Sequence, residues 1–334
     1  MNEEANKKLI ILTILFIVCL PAIILVFGPG FYSLHDDLHV IWLDQMDRAI
    51  KNGQFPPRWV PDLSFAYGYP LFNFVYPLPF YLGEIFHLIG LSLVASIKAV
   101  FIFSIFASAF AMFLFLSRHF SLFFAFLGAI LYVYTPYRAV TIFVRGTIGE
   151  ASVFALLPLE LYCLDRLAEK ETLSNQLKLG TVIALLILAH NIGAFMSLPF
   201  LLLYGILLTI RKKTSKTTFL ALLKSIFFGG ILSAFFWLPA LIEKKYLVSD
   251  TVFNFIDHFP FIKQLLFPSW GYGISVWGPN DGMSFQIGVI NLLTVLISLA
   301  VFLQYFSKKA KKAVERKSYL LLRPCGPCRN KTTS

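Results

Sequence analysis

The constraint that dominates this chain is the recurrence of apolar stretches about as long as a bilayer is thick. They fall at about 9–27, 94–117, 120–136, 151–167, 177–191, 193–210, 218–241 and 287–306. A tilted helix needs about 20 such residues to cross the hydrocarbon core. In lipid only helices and closed barrels satisfy their own backbone groups. The pattern therefore predicts an all-α, polytopic transmembrane protein with about eight spans. Composition agrees: 57% of the 334 residues are hydrophobic and 14% are charged, against roughly 25% charged in a soluble domain. A soluble enzyme or a nucleic-acid-binding domain is excluded on these grounds.

The formal net charge of +11 does not signal a nucleic-acid partner, because nine of the 29 Lys/Arg follow Phe306 and four more lie in Arg211–Lys216. Basic runs beside apolar segments follow the positive-inside rule. That rule also decides the ambiguous segment 70–91, which is apolar yet holds Pro70, Pro77, Pro79, Glu84 and His87. If it lies in the outer interface, 20 Lys/Arg face the cytoplasm and nine face out; if it spans, the split becomes eight and 21. The first arrangement is expected, with both termini cytoplasmic in the cell membrane.

Leu9–Phe27 is longer than a secretory apolar region and reads as a retained first span. Residues 1–306 read as one membrane domain with outer loops 31–92 and 242–286, and 307–334 as a basic cytoplasmic tail. A chain of this extent is expected to be a shortened form of a longer protein. Cys19 and Cys163 lie in apolar stretches and read as packing residues. Cys325-Gly-Pro-Cys328 has redox spacing, but it lacks the βαβ context that chemistry needs.

Under this topology eleven of the 18 carboxylates and five of the six His fall on the outer side or its interface. The first loop opens with His35, Asp36, Asp37 and His39, followed by a stretch amphipathic at helical spacing over 38–50. A partly desolvated carboxylate here suits a general base. His35 and His39 would share a helix face, so a divalent metal site is conceivable; the plainer reading has Asp36 or Asp37 capping the helix. Further along, Tyr137, Arg138, Arg145 and Glu150 fall at the outer end of two spans, where the arginines offer positive charge for a phosphate leaving group. Gly146 and Gly149 would let backbone N–H groups approach it. The alternative is snorkelling arginines, or a plain Arg145–Glu150 pair.

His190 is an ionisable group at membrane depth and a binding candidate by default. Trp270 and Asp281, with Tyr272 and Trp277 nearby, suit sugar stacking or an aromatic belt. Glu160 and Asp165 are expected to pair with basic groups such as Arg166, without a further role.

The long first outer loop with its early acidic residue, Gly68-Tyr69-Pro70-Leu71-Phe72 and Tyr76-Pro77-Leu78-Pro79-Phe80-Tyr81-Leu82 resemble the GT-C class of membrane glycosyltransferases. Pro136-Tyr137-Arg138, Arg145-Gly146-x-x-Gly149-Glu150 and Pro268-Ser269-Trp270-Gly271-Tyr272-Gly273 are similar to a prokaryotic membrane family labelled 6-pyruvoyl-tetrahydropterin synthase-related. The resemblance covers about residues 9–306. The pterin-synthase name implies no chemistry here, since no zinc-binding His set is present. The GT-C likeness implies inverting transfer from a polyprenyl-phosphate sugar to an outer-face acceptor, with the base or metal-ligand role on Asp36 or Asp37. Two other readings stay open: a non-catalytic transporter or assembly partner for lipid-linked glycans, and an inactive remnant.

Overall fold

The computed structural model describes residues 3–212, 215–247, 256 and 259–321. Every regular element among them is helical, beside two isolated β-bridges, Val60–Tyr69 and Tyr272–Met283. Helix α1 (Glu3–Cys19) tightens into a 3-10 turn over Leu20–Phe27, where Pro21 removes a backbone donor. The first loop then carries α2 (His39–Lys51), α3 (Leu71–Phe74) and α4 (Leu78–Leu88). Next come α5 (Leu93–Leu116), α6 (Leu122–Val133), α7 (Pro136–Val140) with a π turn over Thr141–Arg145, and α8 (Ile148–Glu169). The remainder is α9 (Leu173–Ala189), α10 (Asn191–Lys212), α11 (Ser215–Leu232), α12 (Ala234–Glu243), α13 (Ile262–Leu266) and α14 (Val289–Leu321).

All the apolar stretches are helical, but fewer than the expected eight have the length and composition of a span. Among the described residues three do, Asn6–Ile24, α5 and Asn191–Arg211, and up to five if two bent pairs each count as one. Those pairs are α6 with 136–145, bent by 43°, and 217–232 with 234–246, bent by 70°. The difference has physical causes. Helix α8 carries Glu150, Glu160, Asp165, Arg166 and Glu169, while α9 and the apolar part of α14 (Val289–Tyr305) are short. Segment 70–91 is broken, and its longest helix, α4 with 11 residues, reaches only about 16 Å.

Two apolar cores stabilise the bundle. One joins α1, α2, α4, α5 and α6 to the start of α8; the other joins the rest of α8 to α9, α10 and α11. Small residues make the approaches close. Helix α5 buries Ser96, Ser104, Ser108 and Ala109. Where α9 crosses α11, a Cβ on Gly180 would stand 2.7 Å from the Ser225 carbonyl oxygen, and one on Gly229 2.7 Å from that of Gly180.

Helix α2 is the expected amphipathic surface helix. It buries Leu43, Met46 and Ala49, and pairs Arg48 with Asp44 and Lys51 with Asp47, both at 2.8 Å. Its first residue is His39, and its N-cap is Leu38 without a side-chain cap bond, so neither Asp36 nor Asp37 caps it. His35 therefore lies outside the helix, and the shared His face does not form. Asn73 Nδ2 donates to Glu243 Oε2 at 2.7 Å and Arg58 Nη2 to the Phe235 carbonyl at 3.3 Å, tying the first loop to α12. Cys19 and Cys163 are buried free thiols. Helix α14 continues through 307–321, where a structureless tail was expected; Cys325 and Cys328 lie outside the described residues.

Candidate functional site

The first loop meets the turn between α7 and α8 through the backbone. His35 N–H donates to the Val144 carbonyl at 3.0 Å and Asp36 N–H to the Arg145 carbonyl at 2.8 Å. His39 Nε2 closes the junction on the Gly146 carbonyl at 2.6 Å. This close contact needs glycine: Gly146 has φ +73, and a Cβ there would sit 2.5 Å from Leu34. A Cβ on Gly149 would stand 2.6 Å from the Tyr76 ring and 2.8 Å from the Ala189 carbonyl oxygen. The two glycines thus admit the protein's own groups, Leu34 and Tyr76, into the space reserved by expectation for a phosphate.

The π turn ends by aiming Arg145 at Glu150, an irregularity often found at functional sites. The pair is bidentate, with Nη1 to Oε2 at 3.0 Å and Nη2 to Oε1 at 2.9 Å. Tyr137 donates its hydroxyl to Glu150 Oε2 at 2.9 Å and accepts from Arg145 Nη1 at 3.2 Å. Asp36 is half-buried, accepts from His35 Nδ1 at 3.0 Å, and is near enough to act electrostatically on Arg145 and Tyr76. Asp37 is exposed. His190, at the break between α9 and α10, accepts the Gly193 N–H on Nδ1 at 3.0 Å, which leaves its proton on Nε2. Its ring lies 5.1 Å from that of Tyr76.

Below this cluster a groove of about 460 Å³ runs between α8 and α10. Its upper end is polar, formed by Tyr137, Glu150 and His190; its length is apolar, with Phe154, Met196 and Phe200 among the walls. Glu160 lines it too, 2% exposed and without a polar partner among the described residues. Asp165 pairs with basic groups as expected, with His119 and Arg118 rather than Arg166, and also binds Tyr204, at the far end of α8; Glu160 makes no such pair among the described residues.

The structure thus brings Asp36, His35, Tyr137, Arg145, Glu150 and His190 together at one end of the bundle. His39 is buried against Trp42, Phe80 and Phe101, with Nδ1 unpaired. Burial pulls its pKa below the ordinary value, against the raising effects of the Gly146 carbonyl, Asp36 and Asp37. It acts as a neutral post between α2 and the turn.

Arg138 is 1% exposed and turned away from the cluster, donating to the Ser104 carbonyl at 3.3 Å with Phe154 5.0 Å beneath it. Asp281 accepts from Ser275 Oγ and from the Val276 and Met283 N–H groups, so it pins its own loop. Trp270 stands edge-on to Tyr272 at 6.0 Å. Among the described residues no group of three His, Cys, Asp or Glu could hold a metal ion. Tyr76 was missed as a site residue because it entered only as part of the Pro-rich segment of the GT-C likeness; its place against Gly149 is a tertiary fact.

Fold and site define a multi-helix membrane protein with a polar cluster over a groove between helices. The chain belongs to the family described as 6-pyruvoyl-tetrahydropterin synthase related domain, membrane protein, whose model matches residues 72–305. It is also similar to an uncharacterized protein of Lactococcus lactis subsp. cremoris (strain MG1363), 25% identical over 268 residues. That alignment covers 76% of this chain and 42% of the relative, so the chain spans less than half the length of the relative it matches. No solved structure matches.

Proposed function

We propose that the chain is a glycosyltransferase of GT-C type, taking a polyprenyl-phosphate sugar at the outer face of the cell membrane. The observation that carries this reading is the groove, apolar along its length and polar at its mouth, with Asp36 beside that mouth. A prenyl chain fits the walls of Phe154, Met196 and Phe200, and its phosphate reaches Tyr137, Arg145 and His190. Asp36 takes the proton of an acceptor hydroxyl as its oxygen attacks the anomeric carbon. The sugar–phosphate C–O bond breaks, its electron pair stays on the phosphate, and configuration inverts. Arg145 exchanges Glu150 for the leaving phosphate oxygens. Of the two loop carboxylates, half-buried Asp36 suits the base role better than exposed Asp37.

A binding-only role in handling lipid-linked glycans is the second reading. It is favoured by one observation: both arms of the Arg145 fork are already taken by Glu150. Release of radiolabelled sugar from polyprenyl-phosphate sugars by the purified chain separates the two readings. Transfer predicts release that falls by about 10²-fold or more in Asp36→Asn, while Asp37→Asn keeps most of it. No release from any donor by folded wild type would leave the binding role, and wild-type release in Asp36→Asn would remove the base. An EDTA arm tests a divalent metal.

A further inference from the structure

A second cavity, of about 630 Å³, opens at the other end of the bundle, between the end of α5 and the C-terminal half of α10. We propose that it binds the headgroup of an anionic phospholipid. Its polar lining is Arg118, His119, Tyr204 and Arg211, and no carboxylate lines it. Asp165 stands behind the wall. Its side chain, 5% exposed, accepts from His119 Nε2 at 2.6 Å and Tyr204 Oη at 2.7 Å, and faces Arg118 Nε at 3.6 Å. Glu169 pairs with Arg118 Nη2. Arg118 and His119 are thereby held in place on the wall, and Arg211 adds its charge to the void.

Donor capacity is left over. Arg118 Nε is buried without a hydrogen bond, and Arg211 has no ion pair among the described residues. A phosphate diester needs such an arrangement, two guanidinium groups offering donors to one anion. The remaining wall is apolar, with Phe115, Leu207 and Phe120, and the last two are 54% and 58% exposed. That wall decides for a lipid over a free phosphate, because acyl chains can lie on it where a soluble ion gains nothing. Arg166 and Lys170 cluster near the same end, as basic residues do beside an anionic leaflet.

The test uses the full chain in nanodiscs of phosphatidylcholine doped with a phospholipid carrying a photoreactive acyl chain. Crosslinked peptides are then mapped by mass spectrometry. Phosphatidylglycerol should label segments 115–120 and 204–211 about tenfold more than phosphatidylcholine does. Arg211→Gln should abolish most of that preference, and Arg211→Lys should keep much of it. Since Arg211 makes no ion pair among the described residues, its variants should melt as wild type does, which the same preparations can verify. Equal labelling by the two lipids overturns the proposal. So does loss of phosphatidylglycerol labelling on adding millimolar inorganic phosphate at constant ionic strength, which would assign the cavity to a soluble anion.

Discussion

The groove and the basic cavity sit at opposite ends of α8, fifteen residues apart between Glu150 and Asp165, or about 22 Å along the axis. Each is built from an arginine, a carboxylate and a tyrosine: Arg145, Glu150 and Tyr137 at one end, Arg118, Asp165 and Tyr204 at the other. Yet one void is lined by carboxylates and the other by bases. The difference lies in which partner faces the opening. Glu150 stands on the groove wall, with Glu160 below it; Asp165 is sealed behind His119 and Tyr204. The sign of a pocket is therefore set by the rotation of α8 at each end, and residue content alone does not reveal it.

The comparison breaks most readily at Asp165. Two hydrogen bonds and the Arg118 ion pair converge on this carboxylate, which is 5% exposed, and its neighbours come from the turn after α5 and from α10. Asp165→Ala strands His119 and Tyr204 and should cost about 3 kcal/mol or more. Denaturant melting of the purified chain measures it. A loss below about 1 kcal/mol would mean that the bases need no anchor.

Next in size is the glycine that admits Tyr76. Gly149→Ala drives a methyl group against that ring and against the fixed Ala189 carbonyl, and overpacking of this kind costs about 1–3 kcal/mol. Gly230→Ala is the control, since nothing lies within 4 Å of a Cβ there, and it should leave the melt unchanged or raised. Equal effects in the two variants would show that α8 can shift away from the first loop.

How much of this was legible beforehand differs by level. The helical membrane class followed from apolar run length, and α2 from the spacing of Leu38, Ile41, Trp42, Met46, Ala49 and Ile50, of which Met46 and Ala49 are buried together with Leu43. The Arg145–Glu150 pair was visible as opposite charges flanking a turn. What could not be read was orientation. Arg138 and Arg145 look alike in sequence, but the π turn between them buries one and presents the other. Trp270 and Asp281 looked like a binding set, while the structure uses Asp281 to fold its own loop. The basic cavity was missed because Arg118 and His119 lie on one segment and Tyr204 and Arg211 on another about 85 residues away, with no motif joining them.

His39 sharpens the contrast from the first-loop side through pH. Its folded pKa lies below the ordinary value because burial disfavours the imidazolium. The unfolded chain therefore binds the proton first as pH falls. Stability is fully present above about pH 6.5 and declines below it by up to about 1.4 kcal/mol per pH unit, until the folded pKa is reached. Melting from pH 7.5 to 5 should show this slope, and His39→Gln should reduce it. An unchanged slope in the variant would move the acid sensitivity to another group.

The smallest expected effect falls on Glu150, and it bears most directly on the comparison. The Arg145–Glu150 side chains are 29% and 18% exposed, so water screens the pair and limits its worth to about 1 kcal/mol. In Glu150→Gln, Arg145 keeps Tyr137 as a partner and lies within the field of Asp36. The freed guanidinium can turn to that carboxylate, which recovers part of the loss. The melt should fall much less than in Asp165→Ala, although both substitutions remove a carboxylate from an Arg–Tyr cluster on the same helix. If the two losses were equal, Glu150 would be as structural as Asp165, and the groove mouth would be a second brace. If Glu150→Gln is nearly silent in the melt but alters sugar release, the mouth is held together loosely enough for Arg145 to change partners.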